Sequence, residues 1–208
     1  MINAIIPIWK PVDWTSFDVV KKIRAQIKPA KVGHAGTLDP FAEGVLMLCT
    51  GEFTKKVESF MNKDKEYLAE IQLGIETDTL DLTGNIVKTA SIPYLSQDQI
   101  EMVLKIFIGN IKQEPPMFSA IKVHGQPLYR FARKGINIPR KKRVVSIYTI
   151  QLVDFSKDIE YGVDIDGKEA NCHEKFSILY SEKYFSTIEF HVLRLLFCRF
   201  FQRYRTRS

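Results

Sequence analysis

The sequence predicts an α+β fold with a mostly antiparallel sheet. Three observations point there. Apolar or alternating runs, each about the length of a strand, recur along the chain. Stretches with helical spacing are dispersed among them. The 208 residues, 45% of them hydrophobic, are enough to bury a substantial core.

The elements follow in order. INAIIPIW is a short apolar run that reads as a buried strand, and KPVDWTS follows as a loop. Ser16 can cap a helix whose apolar positions Val19, Val20, Ile23 and Ile27 fall at helical spacing, ending before Pro29. Lys31 to Gly44 is punctuated by Gly and Pro and has no period, so it reads as a long loop of the kind that often carries function. Val45 to Cys49 is a continuous apolar run, expected as a central strand, and Phe53 to Phe60 a short helix.

Glu66 to Gly74 alternates, with Tyr67, Ala69, Ile71 and Leu73 on one face of a half-buried strand. Thr77 to Asn85 is a turn rich in Asp, Thr and Gly. Gln97 to Phe107 carries Ile100, Val103, Leu104 and Phe107 at helical spacing, with Ser96 as its cap. Pro115 and Pro116 end a connector. Ala120 to His124 reads as a short strand, with Gly125 as a turn. Pro127 to Lys134 has Pro at a helix start and Gly135 just past its end. Val144 to Phe155 is a long strand rich in β-branched residues, and Phe176 to Tyr180 with Phe185 to Val192 reads as a hairpin. No repeat, low-complexity segment or linker interrupts the chain, so residues 1–192 are expected to form one domain.

Composition excludes several classes. No run of about 18 apolar residues is present, so no spanning helix is expected. The start, MINAIIPIWKPVDW, lacks the basic region and cleavage site of a secretory signal. Cys49, Cys172 and Cys198 have neither CxxC nor Cys/His ligand spacing, which argues against a disulfide scaffold or zinc site and for a reducing cytoplasm.

The formal charge is +6, but Arg194, Arg199, Arg203, Arg205 and Arg207 account for all but +1 of it. A better sign of a polyanionic partner is the stretch Lys122, Arg130, Arg133, Lys134, Arg140, Lys141, Lys142 and Arg143, which holds no acid. A solvated surface would also account for it.

The densest chemistry lies in GHAGTLDPFAEG. Gly33, Gly36 and Gly44 permit close backbone approach. Asp39 precedes Pro40, which restricts it to extended dihedrals and sets its carboxylate on a fixed backbone. Such a carboxylate can attack a carbon centre or move a proton. An Asp-Pro turn with no function fits the spacing as well.

KPVDWTSFDVVKKI, GHAGTLDPFAEGVLMLCTGEFTKKVESF, DKEYLAEIQLGIETDTLDLTG and PPMFSAIKVHGQPLYRFARKGI, in that order and spacing, resemble the TruB family of tRNA pseudouridine synthases. The likeness runs over about residues 5 to 192. It implies a pseudouridine-synthase catalytic fold with a mixed, mostly antiparallel sheet flanked by helices, no metal or organic cofactor, and isomerisation of the T-loop uridine at conventional tRNA position 55. It implies Asp39 as nucleophile and Tyr67, in the family's KxY motif, as the tyrosine that stacks on the flipped uracil. It implies that His34 fills the space the flipped nucleotides leave, an aromatic and polar role suited to RNA.

By the same likeness Asp81 lines the site, although it could equally hold an Asx turn. Lys10 and Lys55 match positions near the active-site framework and the RNA. Lys122, Arg130, Arg133, Lys141 and Lys142 fall where the family has a thumb-like insertion, placed to grip phosphates. The expected partner is therefore the T-arm of tRNA, bound by a monomer without a membrane.

The pattern breaks off after STIEFHV. The family continues with C/S-x-G-T-Y-I-R, whose arginine pairs with the catalytic aspartate, then D-L-G-x-x-L-G and usually a PUA-type RNA-binding domain. Here the chain reads LRLLFCRFFQRYRTRS. Residues 193–208 thus read as an aberrant basic tail, from truncation or a shifted frame: Gln202 to Ser208 can be encoded so that a one-nucleotide shift gives K-D-I-G-Q-E. A Cys198 codon so shifted gives Val or Ala, so one shift does not restore the arginine, and a real basic, amphipathic tail is the rival. Without that arginine and a PUA-type domain, a T-loop-binding protein with impaired catalysis is the alternative function.

Overall fold

The computed structural model describes residues 2–90, 95–119, 121–158 and 173–183. The described chain divides into two compact units, the first reaching Asp64 and the second running from Lys65 to Glu182. The boundary falls within the stretch expected as one domain.

In the first unit, β1 (Ile5–Lys10), β2 (Val32–His34) and β3 (Gly44–Thr50) form an antiparallel sheet in the order β1-β3-β2. β3 takes the centre, as its continuous apolar run predicts. β1 pairs with it from Ile5 opposite Cys49 to Lys10 opposite Gly44. α1 (Ser16–Gln26) lays Val19, Val20, Ile23 and Ile27 over Ile6, Ile8, Val32, Leu46 and Leu48. A 3₁₀ turn (Gly51–Lys56) and α2 (Val57–Met61) follow, where the sequence suggested one short helix.

Two local expectations change here. The N-cap of α1 is Thr15, not Ser16: its hydroxyl accepts from the Asp18 amide, and the Asp18 carboxylate accepts from the Thr15 amide. That reciprocal box outcompetes a serine cap and releases Ser16 for another use. Residues 32–34, read as loop, form an edge strand too short to show a period.

In the second unit, β4 (Lys65–Gln72) is followed by the hairpin β5 (Ile75–Thr77) and β6 (Ile86–Thr89), then by α3 (Gln97–Lys105) and β7 (Gly109–Gln113). A two-residue pair, β8 (Lys122–Val123) and β9 (Gln126–Pro127), leads into α4 (Leu128–Ala132), β10 (Arg143–Asp158) and β11 (His173–Lys183). The main sheet has the order β4-β11-β10-β7. α3, closed by a Ser96/Gln99 capping box, buries Ile100, Val103 and Leu104. They join Phe107, Ile71, Leu73, Val145, Ile147, Ile178 and Tyr180 in one core. On the inward face of β4 lie Tyr67, Ala69 and Ile71, with Leu73 just beyond, as the alternation predicts.

Phe176 to Tyr180 lies within β11, whose neighbours are β4 and β10. The other half of the expected hairpin, 185–192, and the tail 193–208 lie outside the described residues. β7 was not expected: GNIKQ offers a single aliphatic side chain, too little for an alternation. No helix among the described residues is long and apolar enough to cross a membrane.

Candidate active site

In the first unit the site is built from the end of β1 and the loop between β2 and β3. β1 alternates, so Lys10 points inward with Ile6 and Ile8 and is fully buried. Its ammonium donates to the carbonyls of Pro11 (2.9 Å), Trp14 (2.7 Å) and Pro40 (3.4 Å). Burial lowers its pKa, and the charges of Asp39, Asp13 and Glu43 act in the opposite direction. Lys10 was expected to lie near the framework and the RNA; its burial makes it a brace beneath the loop rather than a hand on phosphate.

The backbone on both sides of Asp39 is pinned. The Leu38 amide donates to the Ser16 hydroxyl (3.0 Å), which donates to the Leu38 carbonyl (3.3 Å). The Asp13 amide donates to the Pro40 carbonyl (2.7 Å), and Ala42 closes a turn onto the Asp39 carbonyl (3.1 Å). The serine freed from capping α1 thus holds the residue before Asp39, and Lys10 with Asp13 holds the residue after it. Asp39 itself is half-buried, with the Lys10 ammonium within electrostatic reach.

His34 ends β2, half-buried, and its Nδ1 donates to the Gly36 carbonyl. In the neutral ring this leaves Nε2 as the acceptor. Gly36 has φ 122°, a conformation other residues rarely adopt, and lets the chain turn back under the ring. Lys55 is exposed on the 3₁₀ turn and pairs with Glu52 at 2.5 Å, which raises its pKa and lowers that of Glu52.

The second unit holds the remaining candidates. Tyr67 faces its register partner Tyr180 across β4 and β11; the rings stack at 5.4 Å with 27° between planes. The Asp81 carboxylate accepts from the Thr79 hydroxyl (2.7 Å) and from the Thr83 amide (2.8 Å) and hydroxyl (2.5 Å). These bonds make Asp81 the centre of its turn. The turn it organises, Thr77 to Leu80, walls a cavity of about 400 Å³ closed opposite by Glu114 to Phe118 and Arg140. Two of the four sequence motifs meet there.

The basic stretch separates into two kinds of cation. Lys122, Arg130, Arg133, Lys134, Lys141 and Lys142 are exposed. Arg140 instead pairs with Glu114 at 2.5 Å, and Arg143 donates from Nε to Gln113 at 2.8 Å. Burial lowers the pKa of Arg143, opposed by the charge of Glu182. Sequence reading missed the bracing roles of Ser16 and Lys10 and the internal pairing of Arg140 and Arg143, because each depends on a partner distant in the chain. Among the described residues no three His, Cys, Asp or Glu side chains gather at metal-binding range.

The fold has known counterparts. A solved Cbf5–Nop10–Gar1 complex contains a chain that superposes on 92% of this one and 44% of its own length, with a TM-score of 0.58 and 24% identity. A structure of an H/ACA RNP bound to a substrate RNA containing 2′-deoxyuridine gives a TM-score of 0.56 at 22% identity, over 92% of this chain and 42% of that one. In sequence, the tRNA pseudouridine synthase B of Clostridium kluyveri is 50% identical over 153 residues, 74% of this chain and 53% of that protein. The enzyme of the same name from Hydrogenovibrio crunogenus is 44% identical over 158 residues, 76% and 52% respectively. The chain spans about half the length of these relatives. Residues 22–171, which carry the braced Asp39 loop, match the N-terminal domain of TruB family pseudouridylate synthases, and the chain belongs to that family.

Proposed function

We propose that this protein isomerises uridine 55 in the T-loop of tRNA to pseudouridine, with Asp39 as the nucleophile. The observation that carries the reading is the bracing of Asp39: its neighbours on both sides are hydrogen-bonded to distant residues, over a buried ammonium. A carboxylate held on a rigid backbone reaches one point repeatedly, which is what attack on a defined carbon requires.

The reaction breaks the N1–C1′ bond of uridine and forms a C5–C1′ bond. The carboxylate traps the electron-poor sugar, or adds to the base at C6, while the uracil turns. A proton leaves C5 to a nearby base and N1 regains one, so the product is an isomer and nothing is consumed. The target base must leave the T-loop stack to reach the carboxylate. We assign His34 to the space it vacates and the Tyr67 ring, held by Tyr180, to stacking on the flipped uracil. Recognition is of the shape and phosphates of the T-arm, gripped by Lys122, Arg130, Arg133, Lys141 and Lys142. One chain supplies every named residue, so a monomer working in the cytoplasm suffices.

The test is tritium release from tRNA carrying 5-tritiated uridine. Release in step with pseudouridine at position 55 is the expected result. Tight binding of tRNA without release would replace the enzyme by a T-loop-binding protein.

A further inference from the structure

We propose that one flank of α1, carrying Lys21 and Arg24 and continued past its end by Lys28 and Lys31, is a second phosphate track that holds the double-stranded arm next to the modified loop. The proposal rests on the RNA substrate assigned above and adds a surface in the first unit.

From Val19 to Leu38 the sequence contains Lys21, Lys22, Arg24, Lys28 and Lys31 and no acidic residue. On a helix of 3.6 residues per turn, Phe17, Lys21 and Arg24 recur at intervals of four and three, so they line one flank of α1, and Lys28 follows just past its end. A different flank, with Val19, Val20 and Ile23 and with Ile27 just past the helix end, is spent on the core. Lys22 is turned elsewhere, over the Trp14 ring at 5.2 Å. The flank is exposed: Phe17 is 49% accessible, the Lys21 side chain 62%, and Lys28 and Lys31 are exposed with them.

Two contacts locate the track. Arg24 donates from Nη2 to the Val32 carbonyl at 3.3 Å, so this flank runs beside β2, the edge strand that ends in His34. At the other end of α1, Ser16 holds Leu38, the residue before Asp39. The track therefore adjoins the candidate site at two points. Its first member, Phe17, lies under the Lys21 ammonium at 5.2 Å, an aromatic face beside a cation.

The chemistry fits a nucleic-acid strand better than a single anion. Lys21 to the end of α1 at Gln26 covers about 7.5 Å of helix axis at ~1.5 Å per residue, and Lys28 extends the row beyond it. That is roughly three phosphates at ~3.4 Å of axis per strand. The acid on the helix, Asp18, serves the capping box and lies 3.5 Å from Lys21, an exposed pair that phosphate can displace. The arm contacted is double-stranded because cations in a straight row match a regular backbone, whereas a loop splays its phosphates.

The experiment measures tRNA-transcript affinity against salt for the full chain and for the double variant K21Q/K28Q. Both side chains are exposed, and matched melting curves establish that the variant is folded. The expected result is a loss of roughly 1.5 units in the slope of log affinity against log salt, and about a tenfold loss of affinity at 0.1 M salt. K105Q/K112Q, exposed lysines on α3 and β7, should leave the slope unchanged. An unchanged slope for K21Q/K28Q while the parent binds and turns over tRNA would overturn the track and leave the function standing. If that variant keeps its tRNA slope but loses retention on phosphatidylserine vesicles, the flank belongs to a lipid surface and the proposal is overturned. A parent chain that binds no tRNA would remove the functional reading and the track with it.

Discussion

Two aspartates sit in loops without periodicity, Asp39 in the first unit and Asp81 in the second, and they are held in opposite ways. The Asp39 loop is braced from outside: Lys10, Asp13 and Ser16, all far off in sequence, hold the backbone on either side of it. The Asp81 turn is braced from inside. Its carboxylate accepts from Thr79 and Thr83, its carbonyl accepts from the Thr77 hydroxyl at 2.7 Å, and Asp78 accepts from Asn85. A carboxylate that ties its own turn is committed to structure. One whose backbone is tied by others can be committed to chemistry. The loop composition is similar; the source of the hydrogen bonds differs.

The largest effect expected from this contrast is at Asp39. Asp39→Asn preserves shape but removes the proposed nucleophile, so pseudouridine formation should fall by at least roughly 10³-fold with tRNA affinity within a few fold. Turnover near that of the parent in a tritium-release assay would end the assignment. Lys10→Met comes next. It strips three carbonyls of a donor, and should cost about 3 kcal/mol or more in denaturant unfolding. It should also cost roughly 10–100-fold in kcat through misplacement of Asp39. Burial lowers the Lys10 pKa from 10.5, so between the lowered value and 10.5 the unfolded chain binds more protons than the folded one. Parent stability should therefore rise with pH across that window, and the Met variant should lack this rise.

Asp81→Ala should be milder, about 1–2 kcal/mol in stability and less than roughly tenfold in turnover. Asp81→Asn, which keeps an acceptor oxygen, should be milder still. If it abolishes turnover at parental stability, the contrast between the two aspartates collapses. The smallest effect falls on the phosphate grip proposed for the second unit. Reversing the charges of Lys141 and Lys142 should flatten the salt dependence of tRNA binding by about one to two units while kcat at saturating tRNA holds. An unchanged slope would mean this stretch faces away from the RNA.

Much of this was legible in the sequence where a single element carries its own signal. Tyr67, Ala69 and Ile71 alternate because one face of β4 meets the core. The α3 residues Ile100, Val103 and Leu104 recur at helical spacing for the same reason. Signals failed where the deciding partner is distant or a neighbour competes. Thr15 and Ser16 are both good caps; the Asp18 spacing fits Thr15, and only the fold shows Ser16 reaching Leu38. A lone Lys10 says nothing of its burial. Arg140 and Arg143 add to a basic stretch in the sequence, yet the fold turns them to Glu114 and Gln113. The α1 flank is masked in the sequence by the stretch toward the C-terminal side, which is denser in charge.

The order β4-β11-β10-β7 bears on how the protein is made. Tyr67 must find Tyr180, 113 residues later in the chain. At about 5–20 residues per second on the ribosome, β4 waits roughly 6–23 s for its neighbour while the first unit already holds every strand of its own sheet. The nascent chain therefore emerges with its braced loop able to form early and with an open strand edge behind it. Through that interval β4 lacks its partner strand, and slowing translation between residues 72 and 175 should lengthen its exposure.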